Sequence, residues 1–148
     1  MKVAMSNEQP IDRQKKILVV DDNEVIRKAV SLKLEASGYK AFTAADGSAV
    51  VGVVSKEKPD LILLDILFPP DGAMGGMSWD GFAILRWLRN MSEDKSVPVV
   101  IISGTDPEKY KERCLQAGAS AFLHKPLNMD ELIATVHATL GENTAAPT

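Results

Sequence analysis

Short apolar runs alternate with helical patterns along most of the chain. Residues 17–20 (ILVV) form a β-branched run. Residues 23–37 place Ile26, Ala29, Val30, Lys33 and Leu34 at helical spacing and stop at Gly38, a natural helix end. Residues 39–43 read as a second, weaker strand, and 46–56 as a helix with Val50, Val53 and Val54 facing inward until Pro59 breaks it. Residues 61–64 (LILL) are a third strand. A Gly/Pro/Met-rich loop covers 68–79, and Asp80 is placed to cap a helix to about Met91 with Ile84, Leu85 and Leu88 inward. Residues 98–102 are a fourth strand. Asp106–Pro107 opens a helix to about Ala117 that Gly118 ends, and 121–123 are a fifth strand. Asn128 and Glu131, three apart, resemble a capping box and open the last helix, to about Leu140.

Five strands and five helices in strict alternation predict an α/β domain with a parallel sheet covered on both faces. The runs of strands 1, 3 and 4 are apolar throughout, as central parallel strands buried on both sides should be. The 148 residues suit one domain, and a 45% hydrophobic content suffices for a core. The expected layout is a flexible tail at 1–14, a body at 15–140 and a flexible tail at 141–148. A net charge of −3 disfavours direct nucleic-acid binding. The single cysteine, Cys114, excludes an internal disulfide and reads as a half-buried packing residue. No apolar stretch approaches the roughly 18 residues of a membrane span. Residues 1–14 lack a signal peptide's apolar core, so a cytoplasmic protein is expected.

The chemistry lies where strands end. The first apolar run leads into Asp21–Asp22, the third into Asp65, the fourth into Ser103, and the fifth into His124–Lys125–Pro126. On parallel strands these groups share the carboxyl edge, where open α/β sheets place their ligands. Two adjacent carboxylates repel, and a hard divalent cation relieves the repulsion. A carboxylate beside that cation can act as a nucleophile toward phosphorus. Lys125 can pair with Asp65 and then with phosphoryl oxygens, and a cis Lys125–Pro126 bond would fix how it points into the site. Taken singly, each residue has a plainer reading: Asp22 or Asn23 as a helix cap, Ser103 as a turn residue, Lys125 as a solvated lysine. Their joint occurrence at four strand ends favours a site.

These residues carry a resemblance. The strings ILVVDDN, LILLDILFP, VVIISG and AGASAFLHKP, spanning about Lys15 to Leu140, resemble the response-regulator receiver domain of two-component signalling, the CheY-like family. The resemblance implies a flavodoxin-like (βα)5 fold with strand order 2-1-3-4-5. It implies Asp65 as phosphoacceptor, and Mg²⁺ (or Mn²⁺) held by Asp21, Asp22, Asp65 and the backbone carbonyl of Leu67. Ser103 and Lys125 would bind the phosphoryl group, with Ser103 and Phe122 as switch residues. The donor would be a phosphohistidine on a histidine kinase or histidine phosphotransfer protein. The output would pass to a downstream effector domain or protein through a switched partner-binding face. A homodimer through the face formed by helix 4, strand 5 and helix 5 is a further expectation. The chain would not be an enzyme beyond Mg²⁺-dependent self-phosphorylation and slow autodephosphorylation. Leu67 and Thr105 offer no base for hydrolysis, so a moderately long-lived phosphoryl state is expected.

One segment departs from the family pattern. Asp65 stands sixteen positions before Gly81, about eight more than usual, and the extra residues fall within 69–79 (PPDGAMGGMSW). Met74, Met77 and Trp79 give this loop apolar grip beside the predicted site. It reads either as a loop modulating phosphoryl transfer or as a tolerated insertion. Competing functions are an aspartate-nucleophile phosphatase and a phosphorylation-independent docking module. The first wants two aspartates spaced two apart on strand 1, whereas here they are adjacent. A flavodoxin-like or Rossmann cofactor module needs a phosphate-cradling loop where Asp21-Asp22-Asn23 would repel phosphate.

Overall fold

The computed structural model describes residues 14–65, 81–90, 96–104 and 107–141. The strands are β1 (Lys16–Val20), β2 (Lys40–Ala44), β3 (Leu61–Asp65), β4 (Val99–Ser103) and β5 (Ala121–His124). The helices are α1 (Glu24–Ala36), α2 (Gly47–Glu57), α3 (Gly81–Asn90), α4 (Pro107–Gln116) and α5 (Met129–Thr139). All strand pairs are parallel, in the order β2-β1-β3-β4-β5. The chain therefore turns back at β1, and β1 and β3 lie side by side with Val20 paired to Leu64.

Burial explains why β1, β3 and β4 are so apolar. Alternate residues of these strands feed two separate cores. Leu18, Val20, Ile62, Leu64, Val99 and Ile101 pack with Val50, Val54, Ile84, Leu85 and Leu88 beneath α2, α3 and α4. Ile17, Val19, Leu61, Leu63, Val100 and Ile102 pack with Val30, Leu34, Leu132 and Val136 beneath α1 and α5.

Of the expected caps, Asn23 and Asn128 form, and Asp46 caps the second helix as well. The Asn23 side chain accepts from the backbone N–H of Val25 and Ile26, Asp46 from Ala49, and Asn128 from Glu131 at 2.9 Å. β2 begins at Lys40 rather than Tyr39, for a physical reason. The Tyr39 N–H closes α1 by donating to Leu34 O at 3.0 Å, so it is not available to the sheet ladder. The buried Tyr39 hydroxyl instead pairs with His137 Nδ1 on α5. At the turn into β5, Arg89 Nε and Nη2 both donate to Gly118 O. Gly118 has φ +110°, and a Cβ there would lie 2.8 Å from Arg89 Nε, so this turn requires glycine on two counts.

Cys114 is fully buried in the α2–α3–α4 core, not half-buried as its place in the α4 pattern suggested. Residues 111–113 and 115–116 beside it are exposed, so the thiol is the buried point of this stretch of α4. Burial pushes the thiol's pKa up against the opposing pull of Arg113. A water-soluble aromatic disulfide reagent should therefore leave the native protein unlabelled and modify one thiol in denaturant. Prompt native labelling would contradict this placement.

Loop 69–79, with Met74, Met77 and Trp79, lies outside the described residues. So do Leu67, Thr105, the cap residues Asp80 and Asp106, and the segments 1–13 and 142–148.

Candidate functional site

The carboxyl ends of β1, β3, β4 and β5 bring most of the expected chemistry together. Asp21 follows β1 directly, and its N–H donates to Ala44 O at 3.2 Å, which ties the β1–α1 turn to β2. Asp65 is the last residue of β3 and Ser103 the last of β4. All three are buried, Asp21 and Asp65 at 3% exposure and Ser103 at 0%. Asp22, one step further along the turn, is exposed.

Lys125 supplies the counter-charge. Its Nζ donates to Asp65 Oδ2 at 2.9 Å and lies 3.3 Å from Asp21 Oδ2. One ammonium thus bridges two buried carboxylates from different strands. Its N–H donates to Ser103 O at 2.8 Å, which continues the β4–β5 ladder one step past β5. The Lys125–Pro126 peptide is cis. Burial works against the charge on Lys125. Hydrogen bonding and attraction to Asp65, then Asp21, outweigh it and hold the lysine pKa above its ordinary value.

Carboxylate oxygens of Asp21, Asp22 and Asp65 all lie within 4.8 Å of one another. Three hard, anionic oxygen donors at this spacing suit a divalent cation with oxygen ligands. Two further contacts hold the turn that carries the pair. Asp21 Oδ1 accepts the Asn23 N–H at 2.9 Å, and Arg27 Nη1 donates to Asp21 O at 2.8 Å. Sequence reasoning missed Arg27. The signal available was a cation one helical turn past the α1 cap, within reach of the carbonyl groups of the preceding turn.

A receiver domain is what such an edge serves, and comparison with known proteins decides the matter. Residues 17–137 match the family model of the response regulator receiver domain. This chain belongs to that family. The receiver is 37% identical to response regulator PleD of Caulobacter vibrioides, over 83% of this chain and 25% of PleD. It is 29% identical to the polar-differentiation response regulator DivK of Brucella anthropi, over 86% of this chain and 98% of DivK. Among solved structures it resembles the chemotaxis protein CheY4 of Vibrio cholerae. The TM-score is 0.72 and the identity 33%, with 85% of this chain and 98% of that one covered. Some curated relatives are longer: the receiver spans about half of one and a quarter of PleD.

The receiver fold and its phosphoacceptor signalling role agree with the expectation raised by the four strand ends. Receivers of this kind work with histidine kinases and effector domains. Phe122, on β5, is partly buried and packs against the α2–α3–α4 core. No helix among the described residues is long and apolar enough to cross a membrane.

Proposed function

We propose that Asp65 accepts a phosphoryl group from a phosphohistidine of a partner kinase or phosphotransfer protein. The observation that carries this reading is the Lys125 bridge: a buried β3-terminal carboxylate held at 2.9 Å by an ammonium inside a three-carboxylate cluster. Asp21, Asp22 and Asp65, with the Leu67 carbonyl, are assigned as the residues that hold Mg²⁺ (or Mn²⁺). When bound, that cation supplies positive charge against the phosphoryl oxygens.

The residues divide the chemistry. An Asp65 carboxylate oxygen forms a bond to phosphorus as the donor's P–N bond breaks, and the bonding pair returns to the imidazole nitrogen. The transition state spreads negative charge over three equatorial oxygens, and Lys125 is placed to meet one of them. Asn23 and Arg27 hold the β1–α1 turn so that Asp21 and Asp22 keep their aim. The acyl phosphate carries about −1.5 to −2 charges where the carboxylate carried one, a net gain of roughly half to one negative charge at a buried edge. Ser103 would then donate its hydroxyl to a phosphoryl oxygen. Phe122 and the α4–β5–α5 face would report the change to a partner or a second copy. The 69–79 segment, which follows Asp65 in the sequence, is assigned a modulating role. As a receiver rather than an enzyme, the protein would show Mg²⁺-dependent self-phosphorylation and slow autodephosphorylation only, and its working place would be the cytoplasm.

Incubation with acetyl phosphate and Mg²⁺ tests the reading. Intact mass should rise by one phosphoryl group, and chelation of the metal should abolish the gain. Ser103→Ala should still gain the group, but its α4–β5–α5 amide resonances should shift less on phosphorylation than those of wild type. An unchanged wild-type mass would sink the phosphoacceptor assignment. Equal shifts in both proteins would remove Ser103 from the switch.

A further inference from the structure

The opposite edge of the sheet carries the reverse charge. An open cleft of about 560 Å³ lies there, between the entry to β1, the start of β2 and the end of α2. Lys15, Lys16, Lys40, Lys56 and Lys58 line it. Among the described residues two carboxylates join them, and both are engaged within the fold. Asp60 Oδ2 accepts the Lys16 N–H at 2.8 Å, and Glu57 Oε1 lies 4.0 Å from Lys16 Nζ. Lys15, Lys40 and Lys56 have no ion-pair partner among the described residues. Three net positive charges therefore gather in one concavity of a chain whose net charge is −3.

Helix termini do not account for this excess. α1 and α2 both end at this edge, and each presents roughly half a negative charge there. Five ammonium groups exceed that together with the two carboxylates. Lys58 caps α2 at φ 50°, in the left-handed region where glycine fits without strain, and its Nζ donates to Ser55 O at 3.4 Å within the same helix end.

We infer that this cleft docks an acidic segment of a partner protein. Among the described residues every lining side chain is polar or charged, and none offers a flat apolar wall on which a nucleotide base could stack. Lysines act as flexible point charges rather than as a fixed fork. That suits several carboxylates spread along a peptide, recognised by charge and therefore sensitive to salt. The site lies across the sheet from the carboxylate edge, so an acidic partner can hold the receiver without covering Asp65.

Fluorescence anisotropy of a labelled hexaglutamate peptide on the full chain tests this. Binding at low salt should weaken steeply by about 0.3 M salt. Lys15→Glu/Lys56→Glu should weaken it roughly tenfold or more, while Lys28→Glu/Lys111→Glu, with the same net charge, should leave it near wild type. Lys58→Gly should raise the unfolding midpoint and still weaken the peptide. Uptake of phosphoryl from acetyl phosphate reports that the cleft variants are folded. Equal loss in both double variants would reduce the effect to net charge and overturn the proposal. So would no binding by wild type, or tighter binding of tripolyphosphate than of the peptide.

Discussion

Asp65→Ala should gain no phosphoryl mass from acetyl phosphate and Mg²⁺ under conditions that label the wild type. Uptake should fall below about 1% of wild type, because the carboxylate nearest the Lys125 ammonium, at 2.9 Å, is gone, and Asp21, which also meets Lys125, is held through Oδ1 by the Asn23 N–H. The loss is not expected to come from unfolding. At an effective dielectric constant near 20, attraction between Asp65 and Lys125 at 2.9 Å is worth roughly 6 kcal/mol. Repulsion from Asp21 within 4.8 Å opposes it by about 3.5 kcal/mol, the exposed Asp22 adds a smaller, screened share, and desolvation of the buried carboxylate costs more. These terms nearly cancel, and Lys125 retains Asp21 as its partner. Urea midpoints should therefore stay close to wild type. Residual labelling of a folded Asp65→Ala protein would move the phosphoacceptor elsewhere.

Lys125→Ala should destabilise the metal-free protein by about 2–3 kcal/mol, since it leaves two buried carboxylates facing each other without a cation. The lower end of the range for broken buried pairs applies, because the Lys125 side chain is 23% exposed and water reaches it. Millimolar Mg²⁺ should restore most of this loss by taking the place of the missing charge. Phosphoryl uptake should still fall at least about tenfold with metal present, because one stabilising charge is gone from the transition state. Urea unfolding in chelator and in Mg²⁺ checks the first part. An equal loss in both media would mean that Lys125 matters for packing and not for charge. The pH dependence has a definite direction. The folded pKa of Lys125 is raised, so its contribution is complete below the ordinary lysine pKa and fades as pH climbs through the folded value. Across neutral pH the bridge should be constant.

The sheet was legible in the sequence because β1, β3 and β4 are buried on both faces and so are apolar without interruption. β2 was less so: its burial is partial, and Tyr39, the residue that looks most strand-like, spends its N–H on α1. Asp21, Asp22, Asp65, Ser103 and Lys125 were legible because strand ends in a parallel sheet must converge. Arg27 was not, since its partner is a main-chain carbonyl that carries no side-chain signature. The lysine cleft was invisible for another reason. Its residues are scattered from 15 to 58, and only the β2-β1 pairing and the end of α2 bring them together.

The bridge made by Lys125 also sets when the site can exist. Its two ion pairs span 60 and 104 residues of chain, so they rank among the least local contacts in the molecule. A growing or partly folded chain that has paired β1 with β3 holds its acidic groups together with no ammonium between them. The last strand must dock before charge is balanced at the carboxyl edge. If Asp65 is the phosphoacceptor, as proposed, the balanced charge at its edge depends on the whole sheet being assembled.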